Sequence, residues 1–222
     1  MLDKIGYLIV ITLVSYVLKQ LFSETPNFVK YKSKFLIFYL WASITAVVLL
    51  PFFVFNSKNV KNSLYGSQIV KHVTKVIEIK WHLRNGRVLA EDRGAVVVSN
   101  HQSSLTYLTK IWLFPEGTRN KDFTKLLPFK KGAFNIAVAA QVPIIPVVFS
   151  PYYFINRNKY IFNKGHVIIQ CLEPVPTQGL TMEDVPDLIE RVRNIMDAVY
   201  KELSKEVLSA LPPNYPLATV DD

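Results

Sequence analysis

The chain has 222 residues, half of them hydrophobic and only 19% charged, which is an apolar excess for a wholly soluble protein. Its formal charge of +9 suits anionic lipids or phosphorylated substrates; nucleic acid is not expected, because zinc-finger, RNA-binding and basic-zipper patterns are missing. The single cysteine, Cys171, excludes an intramolecular disulfide and a multi-cysteine metal site, and no metal site is expected.

Residues 1–60 are predicted to form a helical membrane anchor. Residues 5–18 are an uncharged apolar run, shorter than the ~20 residues of a full span, which is compatible with a strained or tilted helix, an interfacial segment or a signal-peptide core. We expect an uncleaved anchor, since no small-x-small cleavage site follows. Residues 35–55 carry no charge and have aromatic residues at both ends, which predicts a transmembrane helix; a buried soluble helix is the alternative. Lysines flank the second run on both sides. The two segments can therefore cross the membrane or dip into it together.

Residues 61–211 are predicted to form an α/β domain. Residues 62–83 mix helical and strand spacing and precede a turn at Asn85 and Gly86. Three β-branched apolar runs, residues 94–99, 111–114 and 142–149, are typical of buried strands, and residues 130–140 predict a helix. This order indicates a largely parallel or mixed sheet with flanking helices, preceded by the membrane hairpin. The two prolines of the last run, Pro143 and Pro146, are unusual for a central strand unless it lines an edge or a pocket. An apolar wall for a fatty chain and ordinary core are equally open interpretations.

The remaining elements are a strand and a long helix. Residues 167–172 read as another strand, and residues 184–208 as the last helix, with Pro186 in its first turn. Residues 212–222 are expected to be a flexible tail. The apolar residues of this helix recur at helical spacing and predict a packing stripe; they are Leu188, Val192, Ile195, Val199 and Leu203.

Two polar segments that follow predicted strands are candidates for chemistry. His101 follows the strand at 94–99, and a neutral imidazole there can take a proton from an attacking hydroxyl; an ordinary surface histidine is the alternative. Residues 114–119, FPEGTR, combine a glycine that can turn backbone N–H groups toward an anion, the Thr118 hydroxyl and the planar fork of Arg119. This pattern predicts a phosphate-binding turn, unless Glu116 merely pairs with Arg119 at a helix cap.

These segments are expected to share one site. The carboxyl ends of parallel strands meet at one edge of a sheet, so His101 and the FPEGTR turn fall on the same edge. Lys130 and Lys131, which precede the predicted helix, either extend the anion site or form a solvated face.

Three ordered blocks, residues 100–104, 114–119 and 142–148, resemble those of the glycerolipid acyltransferases, in particular the 1-acylglycerol-3-phosphate acyltransferases. The resemblance covers nearly the whole chain. It implies transfer of an acyl group from acyl-CoA, as a co-substrate and without another cofactor, to lysophosphatidic acid, giving phosphatidic acid in the endoplasmic reticulum membrane. His101 would be the general base. The implied substrate-binding residues are Glu116, Gly117, Thr118, Arg119 and Lys130.

The chain departs from this family pattern in two ways. Thr106 stands where the family has the aspartate that orients the catalytic imidazole, and a threonine cannot supply its charge. Residues 102–113 replace several dozen residues between two family blocks. We therefore expect an internal deletion with its joint near residues 105–110, severely reduced activity and a weakened fold. A non-catalytic membrane protein that binds lysolipid, or regulates by associating with a full-length relative, is the alternative; a basic anchor acting by charge alone is a third.

Overall fold

The computed structural model describes residues 2–21, 23, 27–55, 61–100, 110–120, 122, 124–213, 215 and 217. His101, Thr106 and the predicted joint at 105–110, except Lys110, lie outside the described residues. The helices are α1 (Leu2–Leu21), α2 (Phe28–Phe55), α3 (Lys61–Val76), α4 (Arg87–Ala90), α5 (Gly132–Ala139) and α6 (Val185–Ser209), with a 3-10 turn at Met182–Asp184. The strands are β1 (Ile79–Arg84), β2 (Val96–Ser99), β3 (Ile111–Leu113), β4 (Ile144–Phe149), β5 (Ile155–Asn156), β6 (Ile161–Phe162) and β7 (Gly165–Cys171).

Residues 1–80, 153–165 and 214–221 form one compact unit, which contains α1, α2, α3 and the β5–β6 hairpin. Within the described residues, α1 and α2 are the helices long and apolar enough to cross a membrane, by length and composition. The apolar runs at 5–18 and 35–55 both lie inside these helices, but α2 begins seven residues before the second run. Most apolar side chains of α1 are exposed, as a membrane-embedded surface would be.

Helix α3 runs antiparallel beside α2. The indole nitrogen of Trp41 donates to the backbone oxygen of Ile69 at 3.2 Å, while Phe52 packs edge-on against Tyr65 at 5.7 Å between ring centroids. Residues 62–83, which mix helical and strand spacing, form most of α3 and, after a turn, most of β1. In the predicted tail, the Tyr215 hydroxyl donates to the Lys164 carbonyl within this same unit.

Residues 81–152 and 166–213 form a second compact unit around a five-stranded sheet of order β1-β7-β4-β2-β3. Strand β2 pairs in parallel with both β3 and β4, whereas β4 and β7 are antiparallel. The sheet is therefore mixed. The predicted strands at 94–99, 111–114, 142–149 and 167–172 are all present, with ends that differ by one or two residues.

Strand β4 is central and completely buried, so the structure excludes an edge position and agrees with the alternative of ordinary core. The Ile144 N–H donates to the Val175 carbonyl, on the same side of β4 as β7. Backbone N–H groups alternate along a strand, so the N–H that proline lacks at position 146 would also have faced that side. Regular β4–β7 pairing covers Val147 to Phe149 only, so Pro146 lies beside an irregular segment. Its missing N–H costs no regular ladder bond there, and its carbonyl accepts from the Leu172 N–H at 2.9 Å.

Helices α5 and α6 cover the sheet, α5 against β2 and α6 against β4. Pro186 lies in the first turn of α6, as predicted. The packing stripe differs from the expected one because Ile195 is 41% exposed. The buried side chains of α6 are Val185, Leu188, Val192, Met196, Tyr200, Leu203 and Val207.

Candidate functional site

The carboxyl ends of β2 and β3 lie side by side. Their parallel register pairs Val98 with Leu113, so both strands leave the sheet at the same edge. The indole N–H of Trp112 donates to the buried Ser99 hydroxyl at 2.7 Å and ties the two ends together. The FPEGTR turn therefore begins beside the residues that precede His101.

Asn100 fixes the end of β2. Its side-chain amide donates to the Phe149 carbonyl at 3.0 Å and accepts from the Phe149 N–H at 2.8 Å, which reproduces a backbone pairing with β4. The side chain is almost fully buried. His101 lies outside the described residues, but Asn100, which directly precedes it in the chain, is held at the sheet edge.

Residues 114–119 form a tight turn. The Gly117 N–H donates to the Phe114 carbonyl at 3.0 Å, and Gly117 has a φ of 68°, a conformation that favours glycine. The Lys130 side chain lies directly over this glycine, because a Cβ placed on Gly117 would be 2.8 Å from the Lys130 Nζ. Lys130 also donates its backbone N–H to the Pro115 carbonyl at 2.7 Å. The structure thus brings Gly117 and Lys130 together.

The cationic groups at this turn are available to an anion. Arg119 and Lys130 are exposed, and within the described part of the chain neither guanidinium nor ammonium has a hydrogen bond or ion pair. Thr118 is exposed beside them. A guanidinium, an ammonium, a hydroxyl and a glycine turn provide donors of the kind that hold phosphate.

Glu116 is oriented differently from these residues. Its side chain is buried, and its carboxylate accepts from the Leu127 N–H at 3.0 Å. The described residues contain no ion pair between Glu116 and Arg119, and no helix begins directly after the turn. Glu116 therefore joins the turn to the segment that leads to Lys130.

The segment between the turn and Lys130 is held by its own side chains and by α6. The Asn120 amide donates to the Lys125 carbonyl at 2.7 Å, and the side-chain and backbone donors of Thr124 hold the pKa of Asp122 below its usual value. Arg193 of α6 reaches the Leu126 carbonyl at 3.4 Å. Sequence reasoning assigned no role to Asn100 or Arg193. A polar side chain at the end of a buried strand was the signal for Asn100, whereas nothing local marks Arg193.

Cys171 does not contribute a nucleophile in this arrangement. The thiol is fully buried, and burial raises its pKa to about 11, so little thiolate forms near neutral pH. Within the described residues, no group of three or more His, Cys, Asp or Glu side chains is placed to hold a metal ion.

Comparisons with known proteins point to one kind of enzyme. Residues 106–150 match a family model described as acyltransferase. Human 1-acyl-sn-glycerol-3-phosphate acyltransferase alpha is 31% identical over 237 residues, covering 80% of this chain and 83% of that protein. The human beta enzyme is 45% identical over 127 residues, covering 50% of this chain and 45% of that protein. The crystal structure of the 1-acyl-sn-glycerophosphate acyltransferase PlsC from Thermotoga maritima matches with a TM-score of 0.62 at 23% identity, over 79% of this chain and 97% of PlsC, and so shares the fold.

Proposed function

Since this chain belongs to the family of 1-acyl-sn-glycerol-3-phosphate acyltransferases, we propose that its site transfers an acyl group from acyl-CoA to lysophosphatidic acid. The product would be phosphatidic acid. The observation that carries the proposal is the FPEGTR turn, which presents unpaired cations at the sheet edge where the histidine block ends. The family membership supplies the reaction class, and the turn supplies a place for the substrate phosphate.

The phosphate of lysophosphatidic acid is assigned to Arg119 and Lys130. Arg119 offers two parallel N–H donors, and the Lys130 ammonium adds a second charge over Gly117. The Thr118 hydroxyl is a further donor. Glu116 takes part in a different way, because its carboxylate is engaged with the Leu127 N–H and would repel a phosphate. We assign it the role of positioning the segment that carries Lys130.

His101 is the proposed general base. Its imidazole would take the proton of the substrate hydroxyl while that oxygen attacks the thioester carbonyl carbon. The carbon–sulfur bond then breaks, and the proton passes to the sulfur as coenzyme A leaves as a thiol. Asn100 supports this role, since its two bonds to Phe149 fix the backbone immediately before the histidine.

We propose that turnover is severely reduced in this form of the enzyme. Thr106 provides no carboxylate to stabilise an imidazolium, and in comparable triads losing the charge of the acid lowers turnover by roughly 10⁴. An internal deletion is supported by the alignment with the human alpha enzyme. That alignment spans 237 positions. It includes only 80% of the 222 residues of this chain, which is about 178 residues. The remaining positions of the alignment, roughly 59, have no counterpart in this chain. The family-model match begins only at residue 106, after the histidine.

Membrane attachment is inferred from the anchor helices, and the identity of the membrane is a proposal. Helices α1 and α2 are apolar enough to hold the protein in a bilayer, where both the lipid substrate and the lipid product dissolve. The resemblance implies the endoplasmic reticulum. Co-fractionation of the tagged chain with markers of that membrane would test this address.

The catalytic proposal is tested by assaying acyl-CoA-dependent conversion of lysophosphatidic acid in membranes that contain this chain. We expect turnover orders of magnitude below that of the human alpha enzyme, abolished by His101→Ala and raised by Thr106→Asp. Thr109→Asp adds the same charge three residues away and is expected to leave turnover low.

Each arm can contradict a different part of the proposal. Residual turnover that survives His101→Ala would refute the general base, and turnover near that of the human enzyme would refute the impairment. Binding of lysophosphatidic acid without transfer, even after Thr106→Asp, would instead favour the non-catalytic alternative.

A further inference from the structure

One peptide group between the FPEGTR turn and α5 is held from both sides. Its N–H, that of Leu127, donates to the Glu116 carboxylate at 3.0 Å. Its carbonyl, that of Leu126, accepts from the Arg193 guanidinium at 3.4 Å. Both side chains are ionisable, and hydrogen bonds to ionised groups are stronger than bonds between neutral groups. The peptide group is therefore fixed between the turn and α6.

Arg193 reaches this peptide group from a rigid support. Its neighbours in α6, Val192 and Met196, are completely buried, and α6 packs against β4 and α5. The guanidinium thus extends from a backbone that is fixed to the core. Leu126 is also buried, at 2% exposed, so water has little access to its carbonyl and does not readily take the place of Arg193.

The connection from this peptide group to the phosphate site is short and stiff. Three residues later comes Lys130, whose side chain lies over Gly117. In between, Pro128 has a restricted φ, and the Phe129 ring stacks on Phe134 of α5 at 6.3 Å between centroids. A shift of the held peptide group is therefore transmitted to the lysine.

The bond to Leu126 adds little to the overall stability of the protein. Within the part of the chain that the structure describes, the Arg193 Nε is buried and has no hydrogen-bond partner. An unsatisfied buried donor costs about as much free energy as one hydrogen bond contributes. A methionine, similar in length, would keep the packing of α6 without this cost. The value of the guanidinium therefore lies in where it holds the peptide group.

We propose that Arg193 is a positioning residue of the phosphate site. By holding the Leu126 carbonyl opposite Glu116, it sets where the following segment passes over the FPEGTR turn, and so where the Lys130 ammonium meets the substrate phosphate. It acts through Lys130 and not by contact with the substrate. This role rests on the proposed function, to which the phosphate site belongs.

Hydrogen–deuterium exchange of residues 124–130 in the full chain tests the position of the segment without a ligand. Arg193→Met should raise the exchange rate of the Leu127 amide about tenfold, the effect of losing one hydrogen bond to a charged group. Arg193→Lys keeps a cationic donor and should retain most of the protection. The unfolding temperature should change little in either variant.

Arg191→Met is the matched control, because it changes an exposed arginine of the same helix. It should leave the exchange of residues 124–130 as it is in the wild type. Unchanged exchange in Arg193→Met, or an equal increase in the control, would overturn the proposal. A large fall in the unfolding temperature of Arg193→Met would also overturn it, because the residue would then act on the fold as a whole.

Binding of lysophosphatidic acid to the full chain in detergent micelles tests whether Arg193 acts through Lys130. We expect Lys130→Gln to weaken binding about tenfold and Arg193→Met to weaken it severalfold. The double variant should bind no more weakly than Lys130→Gln, since both changes remove the same contact. Monoacylglycerol, which lacks the phosphate, should bind equally to all variants.

The positioning role and the proposed function fail in different ways. Unchanged affinity in Lys130→Gln would refute the phosphate site, and the positioning role with it. A loss in Lys130→Gln with none in Arg193→Met, or losses that add fully in the double variant, would overturn the positioning role alone. Weaker monoacylglycerol binding in Arg193→Met would also overturn it, because a general distortion of the site would then explain the result.

Discussion

Gly117 is constrained by both its backbone and its neighbour. Its φ of 68° disfavours any residue with a Cβ, and that Cβ would lie 2.8 Å from three atoms of the Lys130 side chain. We expect Gly117→Ala to destabilise the protein by about 1–2 kcal/mol and to displace the Lys130 ammonium. Affinity for lysophosphatidic acid should fall about tenfold, the loss expected when one charged contact is removed. Thermal unfolding and ligand titration of the purified protein measure the two effects.

Gly132→Ala is the matched control for this substitution. Gly132 begins α5, and nothing lies within 4 Å of a Cβ placed there. Its replacement should be neutral or slightly stabilising, since alanine is the better helix former. Equal losses of affinity in the two variants would show that Lys130 does not depend on the glycine turn.

The residues of the site were predictable to different degrees. Gly117, Arg119 and Lys130 could be inferred from residue type and order, because glycine turns and cations recur where anions bind. The burial of Glu116 could not be inferred, since the acceptor role of its carboxylate depends on Leu127 folding back over the turn. Asn100 was visible as a polar residue after a strand, but its partner Phe149 is 49 residues away in the chain.

At the scale of elements, an ion pair between Lys34 and Glu78 ties the start of α2 to the segment before β1. Burial raises the pKa of Glu78, but the hydrogen bond and charge of Lys34, with the charge of Lys164, hold it below its usual value of 4.5. The ionised form is therefore favoured by folding. This stabilisation is fully present above about pH 4.5 and is lost as the pH falls through the lower folded-state pKa.

Glu78→Gln tests this connection. At neutral pH the variant should be less stable by roughly 2 kcal/mol, because it leaves Lys34 buried without its charge partner while Glu78 itself is partly exposed. The difference in unfolding temperature should shrink as the pH is lowered below 4.5. Glu202→Gln, at an exposed position of α6, should behave like the wild type throughout. A constant difference from pH 7 to pH 3 would mean that the carboxylate charge is not responsible.

The elements show what local pattern can and cannot specify. Strand β2 and helix α6 were predictable, since a short run rich in β-branched residues favours a buried strand and a long 3.6-residue period favours a helix. The central position of β4 was obscured by Pro143, which precedes the strand, and by Pro146, which is tolerated within it because regular pairing with β7 begins at Val147. The start of α2 was missed because its lysines look like a solvated flank, although the hairpin and Glu78 bury two of them.

At the scale of the whole molecule, the described contacts constrain how α2 meets the membrane. If α2 crossed the bilayer, α3 would have to return through it, because Trp41 contacts Ile69 and Phe52 contacts Tyr65. Among the side chains of α3 that the structure describes, exposed polar ones include Gln68, Lys71, His72 and Lys75. Charged side chains cost about 2.5–3.5 kcal/mol each at the centre of a bilayer. The α2–α3 pair is therefore better suited to lie at one face of the membrane than to span it.

This arrangement predicts that Lys32→Cys and Gln68→Cys react with a membrane-impermeant maleimide from the same side of sealed microsomes. Both positions are exposed, and the native Cys171 is buried and silent. A spanning α2 would instead place Gln68, which precedes the Trp41 partner Ile69, inside the bilayer or beyond it. A cysteine at 68 that reacts only after the membrane is dissolved would therefore contradict the arrangement. Equal reactivity from one side would mean that α2 contacts lipid on one face and α3 on the other, so that both ends of the helix stay on the same side of the membrane.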